Sequence, residues 1–176
     1  MKPRILILMH YMELGGAESA LLGLLQSVDP ARVDVDVFLY SHRGELMKYI
    51  PTDKVNLLPE VTAYKMIERP FMECVKSGHI GVALGRWFAK KTVDKSPVPA
   101  GKDNIRIYTR VADWVEHFVP KIQPDVEYDL AISFLMPHNY VVKKVRAKKK
   151  LGWIHTDYST VHVDVKRELP VWGQLD

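Results

Sequence analysis

The run Ile5-Leu6-Ile7-Leu8-Met9 is apolar throughout, and Gly15-Gly16 follows it within one short loop. A strand without polar alternation is covered on both faces, the habit of a central strand in a parallel sheet. After the glycines, Ala17, Ala20, Leu21, Leu24, Leu25 and Val28 recur at helical spacing until Asp29-Pro30 stops the pattern. Strand, glycine turn and helix in that order leave few folds open. Val33 to Tyr40 begins with strict alternation and ends apolar, a second strand. Gly44 to Ile50 reads as a short helix ended by Pro51, and Val55 to Leu58 as a third strand. The spacing predicts βαβ units in an α/β, Rossmann-like fold, a doubly wound and mostly parallel sheet flanked by helices.

The middle is less regular. Residues 60–123 contain no convincing strand, but Ile80, Leu84, Trp87 and Phe88 fall at helical intervals with Arg86, Lys90 and Lys91 beside them, an amphipathic helix with a basic flank. That stripe is expected to face the core, with a membrane-surface helix as the other reading. Asp94 to Asp103, with Pro97, Pro99 and Gly101, reads as a loop, after which Asn104 is expected to cap a helix through Val119. Asp129 to Leu135 is a fourth strand and Pro137 precedes a helix to about Ala147. Lys148 to Lys150 lead into a fifth strand, Leu151 to Ile154, and His155-Thr156-Asp157-Tyr158 gather at its exit. Ligands bind at such exits in open α/β sheets. The cations Lys143, Lys144, Arg146, Lys148, Lys149 and Lys150 are expected to form a solvated helix end, an anion-binding patch being the alternative.

Composition excludes several classes. With 47% hydrophobic and 26% charged residues, the 176-residue chain is neither disordered, collagen-like nor a disulfide scaffold. It supports one real core, and residues 1–176 are expected to form a single domain. Lys plus Arg exceed Asp plus Glu by 25 to 21, too little to imply nucleic acid, and no aromatic RNA-stacking motif is present. The single cysteine, Cys74, fits a reducing cytosol and offers no metal-site spacing. Lys2 and Arg4 precede an apolar run too short for a signal peptide, and no stretch approaches the length of a membrane span. The expected location is cytoplasmic.

Gly15-Gly16-Ala17-Glu18 stands where a strand meets a helix, so backbone N–H groups and the helix dipole there can hold a phosphate. The alternative is a tight turn with Glu18 placed favourably in the first helical turn. The P-loop and the dinucleotide fingerprint are both absent, and Tyr40-Ser41 end the second strand where the fingerprint needs an acid. His155, Asp157, His162 and Asp164 have no spacing diagnostic of a metal site, so no metal is expected. His155 alone could donate to a substrate oxygen, or simply be structural. His10, His138 and Asp157 are conceivable acid and base partners whose separation the sequence does not give.

Together these residues resemble the N-terminal domain of family four glycosyltransferases, retaining enzymes of the GT-B fold. Ile5 to Met9 with Gly15-Gly16-Ala17-Glu18 looks like the family's first strand and glycine loop. Tyr128 to Ser133 looks like a later strand, and Trp153-Ile154-His155-Thr156-Asp157 is similar to its strand-exit histidine. The resemblance implies an acceptor-side domain that works with a C-terminal donor-binding domain not contained in this chain, so that the fragment alone would be inactive. It implies a nucleotide-sugar such as a UDP- or GDP-sugar as donor substrate, no other cofactor, and a cell-surface glycan or lipid-linked acceptor, with the protein peripheral at the inner face of a bacterial membrane. Gly16 would lie near the donor diphosphate, Glu18 would support the loop, and His155 would be the catalytic contact to the transferring sugar. Arg86, Trp87, Lys90 and Lys91 would form an acceptor or membrane surface. Glu60 and Glu68 reproduce the spacing of a donor-domain motif but lie in the wrong half, and are read as coincidence. The reading from another class is a stand-alone, non-catalytic Rossmann-like module that holds a phosphorylated ligand or partner.

Overall fold

A computed structural model of the protein describes residues 2–176. Its centre is a five-stranded, all-parallel sheet in the order β3-β2-β1-β5-β6, formed by β1 (Arg4–Met9), β2 (Asp34–Leu39), β3 (Asn56–Leu57), β5 (Tyr128–Ser133) and β6 (Ala147–Gly152). Ile7 pairs with Val37 on one side and Ile132 on the other, so β1 lies in the middle of the sheet. The sequence expectation of a parallel, Rossmann-like α/β domain is what the chain adopts.

The apolar run in β1 is explained by two separate core clusters. Ile7 and Met9 belong to one, with Val35, Val37, Leu21 and Leu25 of helix α1 (Gly16–Gln26). Leu6 and Leu8 belong to the other, with Phe38, Tyr64, Val82, Val115 and Tyr140. The second cluster is roofed by α2 (Thr62–Lys65), α4 (Ile80–Thr92), α5 (Arg106–Val115) and α6 (Asn139–Lys144), while α3 (Phe71–Lys76) packs beside α4. Burying each such aliphatic side chain contributes about 2 kcal/mol.

Several expectations need correction. Residues 60–123 do contain a strand: β4 (Asp103–Asn104) pairs in parallel with β7 (Val161–His162) as a separate two-stranded sheet, before α7 (Val165–Trp172). Two residues are too few for any periodicity to register. The cap of α5 is Ile105, while Asn104 sits in the strand and accepts the Arg106 backbone N–H at 3.3 Å. The adjoining loop is clamped by Arg106, buried at 2% exposure, which donates to Asp94, Ser96 and Asn104.

The stripe on α4 is not core. Ile80, Leu84, Trp87 and Phe88 are 53, 43, 47 and 40% exposed, whereas Val82, Ala83, Gly85 and Ala89 are buried. The reason is steric. A Cβ on Gly85 would lie 3.3 Å from the Trp114 carbonyl oxygen, and one on Gly81 would overlap the Phe118 ring, so α5 and the turn after it approach too closely for large side chains. The lysine run is also not one helix end. Lys143 and Lys144 occupy the last turn of α6, but Lys148, Lys149 and Lys150 lie within β6 at the sheet edge. There Asp176 closes the strand, its backbone N–H donating to the Lys150 carbonyl and its carboxylate accepting the Lys150 N–H, both at 2.8 Å. Among the described residues, no helix is long and apolar enough to cross a membrane.

Candidate functional site

The strand order reverses between β1 and β5, and the loops leaving their C-terminal ends diverge over a crevice, the position at which open α/β sheets bind ligands. A cleft of about 320 Å³ occupies it. His10 and Tyr11 come from the end of β1, Tyr40 from the end of β2, and Pro137 and Tyr140 from the turn after β5 and the first turn of α6. Arg86 and Lys90 of α4 and Tyr108 of α5 form the outer wall. A wider hollow of about 620 Å³ lies at the N-terminal edge of the sheet around Arg4, Asp36 and Asn56, but these groups bind one another. The cleft is therefore the better ligand site.

Glu68 organises the charge in the cleft. One carboxylate oxygen is 3.1 Å from His10 Nδ1, and the other accepts from Arg43 at 2.7 Å. Burial pushes this carboxyl up, but the His10 hydrogen bond and the nearby Arg43 and Arg86 guanidiniums outweigh it and hold it below the usual carboxylate range. Arg43 also lies over the Tyr11 ring, 4.3 Å from its centroid. Burial, then the Glu68 and Glu13 charges, raise the Tyr11 phenol above its ordinary value. Arg86 donates to the Arg69 and Met66 carbonyl oxygens. Lys90 has no hydrogen-bond or ion-pair partner among the described residues and opens onto the cleft.

Beside the cleft, His138 is 4% exposed, 2.8 Å from Ser133 Oγ, with its ring edge to Trp172. Ser133 donates to the Leu135 carbonyl oxygen, so His138 Nδ1 carries the proton that reaches Ser133. Burial, with a smaller contribution from His10, lowers the His138 pKa to about 4. A histidine buried in its neutral form takes up its proton only after unfolding when pH falls below about 6.5, so this contribution is complete above that pH and is lost between about 6.5 and 4. Urea unfolding is expected to give a lower stability at pH 5 than at pH 7. His138→Gln should flatten that slope, and an unchanged slope would contradict the buried neutral ring.

The glycine loop lies at the same edge. Gly15, with φ −162°, is extended backbone that any residue can adopt. Its missing side chain makes room for the Glu18 carboxylate, which a Cβ there would overlap. Glu18 itself is buried, Ala17 packs against the α1 core cluster, and Gly16 is exposed, with nothing within 4 Å of where its Cβ would stand. Any need for glycine at 16 therefore comes from outside the fold. His155 is exposed and lies over Phe134, with ring centroids 4.6 Å apart, and is nearly parallel to Trp153. It leaves β6, two strand spacings or about 10 Å from β1, so it shares the edge with the glycine loop and the structure records no contact between them.

Of the basic and aromatic group on α4, Arg86 and Lys90 face the cleft, whereas Trp87 is on the outer surface with Lys91 Nζ 5.4 Å from its ring centroid. Glu60 accepts the His42 backbone N–H and pairs with Lys65, and shares no partner with Glu68. Among the described residues, no three His, Cys, Asp or Glu side chains are gathered to hold a metal ion. Sequence reasoning gave no role to Tyr11, Arg43 or Tyr140, and named His10 and Glu68 only in loose pairings. His10 carried a usable signal, a polar residue at the end of a buried strand. Tyr140 carried none.

Fold and cleft define an open, parallel α/β domain with a ligand crevice at its switch point. Comparison with models of known families, with curated proteins and with solved structures gives no match.

Proposed function

We propose that this chain is the acceptor-side domain of a retaining glycosyltransferase of the GT-B type, transferring sugar from a nucleotide-sugar donor to a cell-surface glycan or glycolipid acceptor at the cytoplasmic face of a membrane. The observation that carries this reading is the juxtaposition of two features at one sheet edge: a cleft roofed by Arg86 and Lys90, and a helix start whose Gly16 backbone is open to an incoming phosphate. The acceptor would occupy the cleft. The donor diphosphate would be brought to the first turn of α1, where fixed N–H dipoles stabilise the charge that develops on departure. In the front-face displacement that the family resemblance implies, the leaving phosphate takes the acceptor proton, so no protein nucleophile is needed. His155 would contact the transferring sugar from the exit of β6.

Two measurements test this. The native product in its source cell, detected with an antibody raised against this chain, is expected at about twice the chain's mass, with a second domain of about 150 residues or more. In that protein, Gly16→Ala should abolish nucleotide-sugar turnover while stability stays the same or rises by less than about 1 kcal/mol, since alanine favours the helix and meets no neighbour. Full turnover by Gly16→Ala would remove the glycine loop from the mechanism. A native product of this chain's own mass would favour the stand-alone binding module.

A further inference from the structure

Two ionisable side chains buried outside the cleft have no part in the chemistry above: Arg106, 2% exposed, and Glu168, 7% exposed. Burying such groups is costly unless their polar atoms are bonded, and here the bonds go to irregular chain. Arg106 holds the loop after α4 through Asp94 at 2.7 Å and Ser96 at 2.8 Å, and it fixes Asn104 of β4 at 3.0 Å. β4 in turn pairs with β7, the Asp103 N–H donating to the Thr160 carbonyl at 2.9 Å and the Ile105 N–H to that of His162 at 3.2 Å. Glu168 reaches the same stretch from α7. Its carboxylate accepts from Thr109 at 3.1 Å, Tyr158 at 3.3 Å and Trp172 at 3.4 Å. Burial, then the Glu168 charge and hydrogen bond, push the Tyr158 phenol up to about 12, as expected of a donor committed to a carboxylate. Between the two anchors the chain closes on itself: the Thr160 N–H donates to the Asp157 carbonyl at 3.0 Å, and the Ser159 N–H to the Asp157 carboxylate at 2.8 Å. The segment so held is the one that leaves β6 with His155.

We infer that Arg106 and Glu168 are positioning residues for His155: they fix the chain from 157 to 162 and so set where the imidazole stands at the sheet edge. The imidazole makes no hydrogen bond among the described residues and packs on Phe134, with Trp153 nearly parallel to it. Ring packing limits tilt but resists sliding poorly, so the backbone has to hold the ring in place. On one side β6 does this, the Trp153 N–H bonding to the Ser133 carbonyl at 2.9 Å. On the other side only the two anchors do. Arg106 and Thr109 are three apart on α5, so one face of that helix serves both, while Ile107 and Tyr108 of the same helix line the cleft. A displacement of about 1 Å at a reacting contact is enough to lose most of its effect, which gives rigid anchors at this distance a purpose. This assignment rests on the reading of His155 as the contact to the transferring sugar, and names what keeps that contact in place.

The test is NMR spectroscopy of the chain with its histidine side chains and backbone amides labelled. Tyr158→Phe removes one hydroxyl and keeps the ring against Trp172, and Arg106→Lys keeps a cation but not the planar fork. In both variants the His155 ring signals, displaced in the parent by the Phe134 and Trp153 ring currents, are expected to move toward those of a free histidine. Backbone order parameters over residues 156–160 should fall from about 0.85 toward about 0.6. Glu168→Gln should leave His155 in place, since an amide can accept from Tyr158 and Trp172 with its oxygen and donate to Thr109. Val35→Ala, a loss of packing in the α1 core far from the segment, should lower stability and also leave the His155 signals where they are. A purely structural role predicts lower stability in Tyr158→Phe and Arg106→Lys with His155 unmoved, and that result overturns the proposal. Equal movement of His155 in Val35→Ala overturns it too. These readouts need neither donor nor turnover. Full nucleotide-sugar turnover by His155→Ala in the intact enzyme would therefore remove the catalytic contact and leave the positioning of the ring in force.

Discussion

Gly44→Ala is expected to lower the stability of this protein by about 3 kcal/mol or more and to disable the cleft with it. Gly44 has φ +110° and ψ 155°, a region that only glycine occupies without strain, and a Cβ there would overlap the backbone of Met12 and Glu13. The overlap cannot be relieved by a side-chain turn, because it is with backbone that is itself tied down. Met12 N–H donates to the Arg43 carbonyl and Leu46 N–H to the Met12 carbonyl, both at 2.9 Å, and the Met12 side chain is fully buried. These bonds join the loop that carries His10 and Tyr11 to the turn that carries Arg43, the partner of Glu68. The control is Gly78→Ala, with φ +81° but open space around the added carbon, for which a loss of about 1 kcal/mol is expected. Chemical denaturation of both variants decides the matter. Equal losses would mean that the loop and the turn are not locked together.

Asp36→Ala should cost about 3 kcal/mol at the opposite edge of the sheet and leave ligand binding intact. Asp36 is 4% exposed and accepts from the Tyr128 hydroxyl and from Asn56 at 2.7 Å, and from Arg4 at 2.8 Å. Its carboxylate ties β1, β2, β3 and β5 together across one face, and its removal strands a tyrosine hydroxyl in the core. Burial, with the Asp36 hydrogen bond and charge, holds the Tyr128 phenol well above its ordinary value, the direction expected of a donor committed to a carboxylate. A double-mutant cycle with Tyr128→Phe isolates the pair. Strictly additive losses would show that the two groups do not act together.

The sheet was legible because its signals are local and repeated. Ile5 to Met9 has no polar residue and fills two cores, and the alternation in Val33 to Val37 marks β2, although it hid that Asp36 points inward to Tyr128. What failed depended on neighbours that periodicity does not name. Nothing in the spacing of Ile80, Leu84 and Trp87 tells which side of α4 another helix approaches; Gly81 and Gly85, which permit that approach, were the clue. The lysines of β6 read as a helix end because a strand at an edge tolerates charge that an interior strand cannot. The candidate site was legible only as a place, the exits of the strands. Its cleft joins His10, Glu68, Arg86 and Tyr140 across 130 positions of chain, and such meetings arise from the sheet order.

The outer strand β6 also governs how this molecule lives beside others of its kind. A parallel sheet left open at one side is a mould on which a further strand can crystallise, and a sequence rich in short apolar strands supplies many that would fit. Here the other side ends in a strand of only two residues, and β6 has the middle of its free rim stoppered by Asp176, with Lys148 and Lys149 exposed on its two faces and the Lys150 ammonium turned back onto the Val142 carbonyl oxygen. Anything adding to that rim must first pull out the stopper and then lie across the cations. The electrostatic part of this defence has the reach of the Debye length, about 10 Å at about 0.1 M salt and about 3 Å at molar salt, whereas the stopper is indifferent to ions. The protein therefore carries two independent safeguards against joining its neighbours, of which only one survives a concentrated electrolyte.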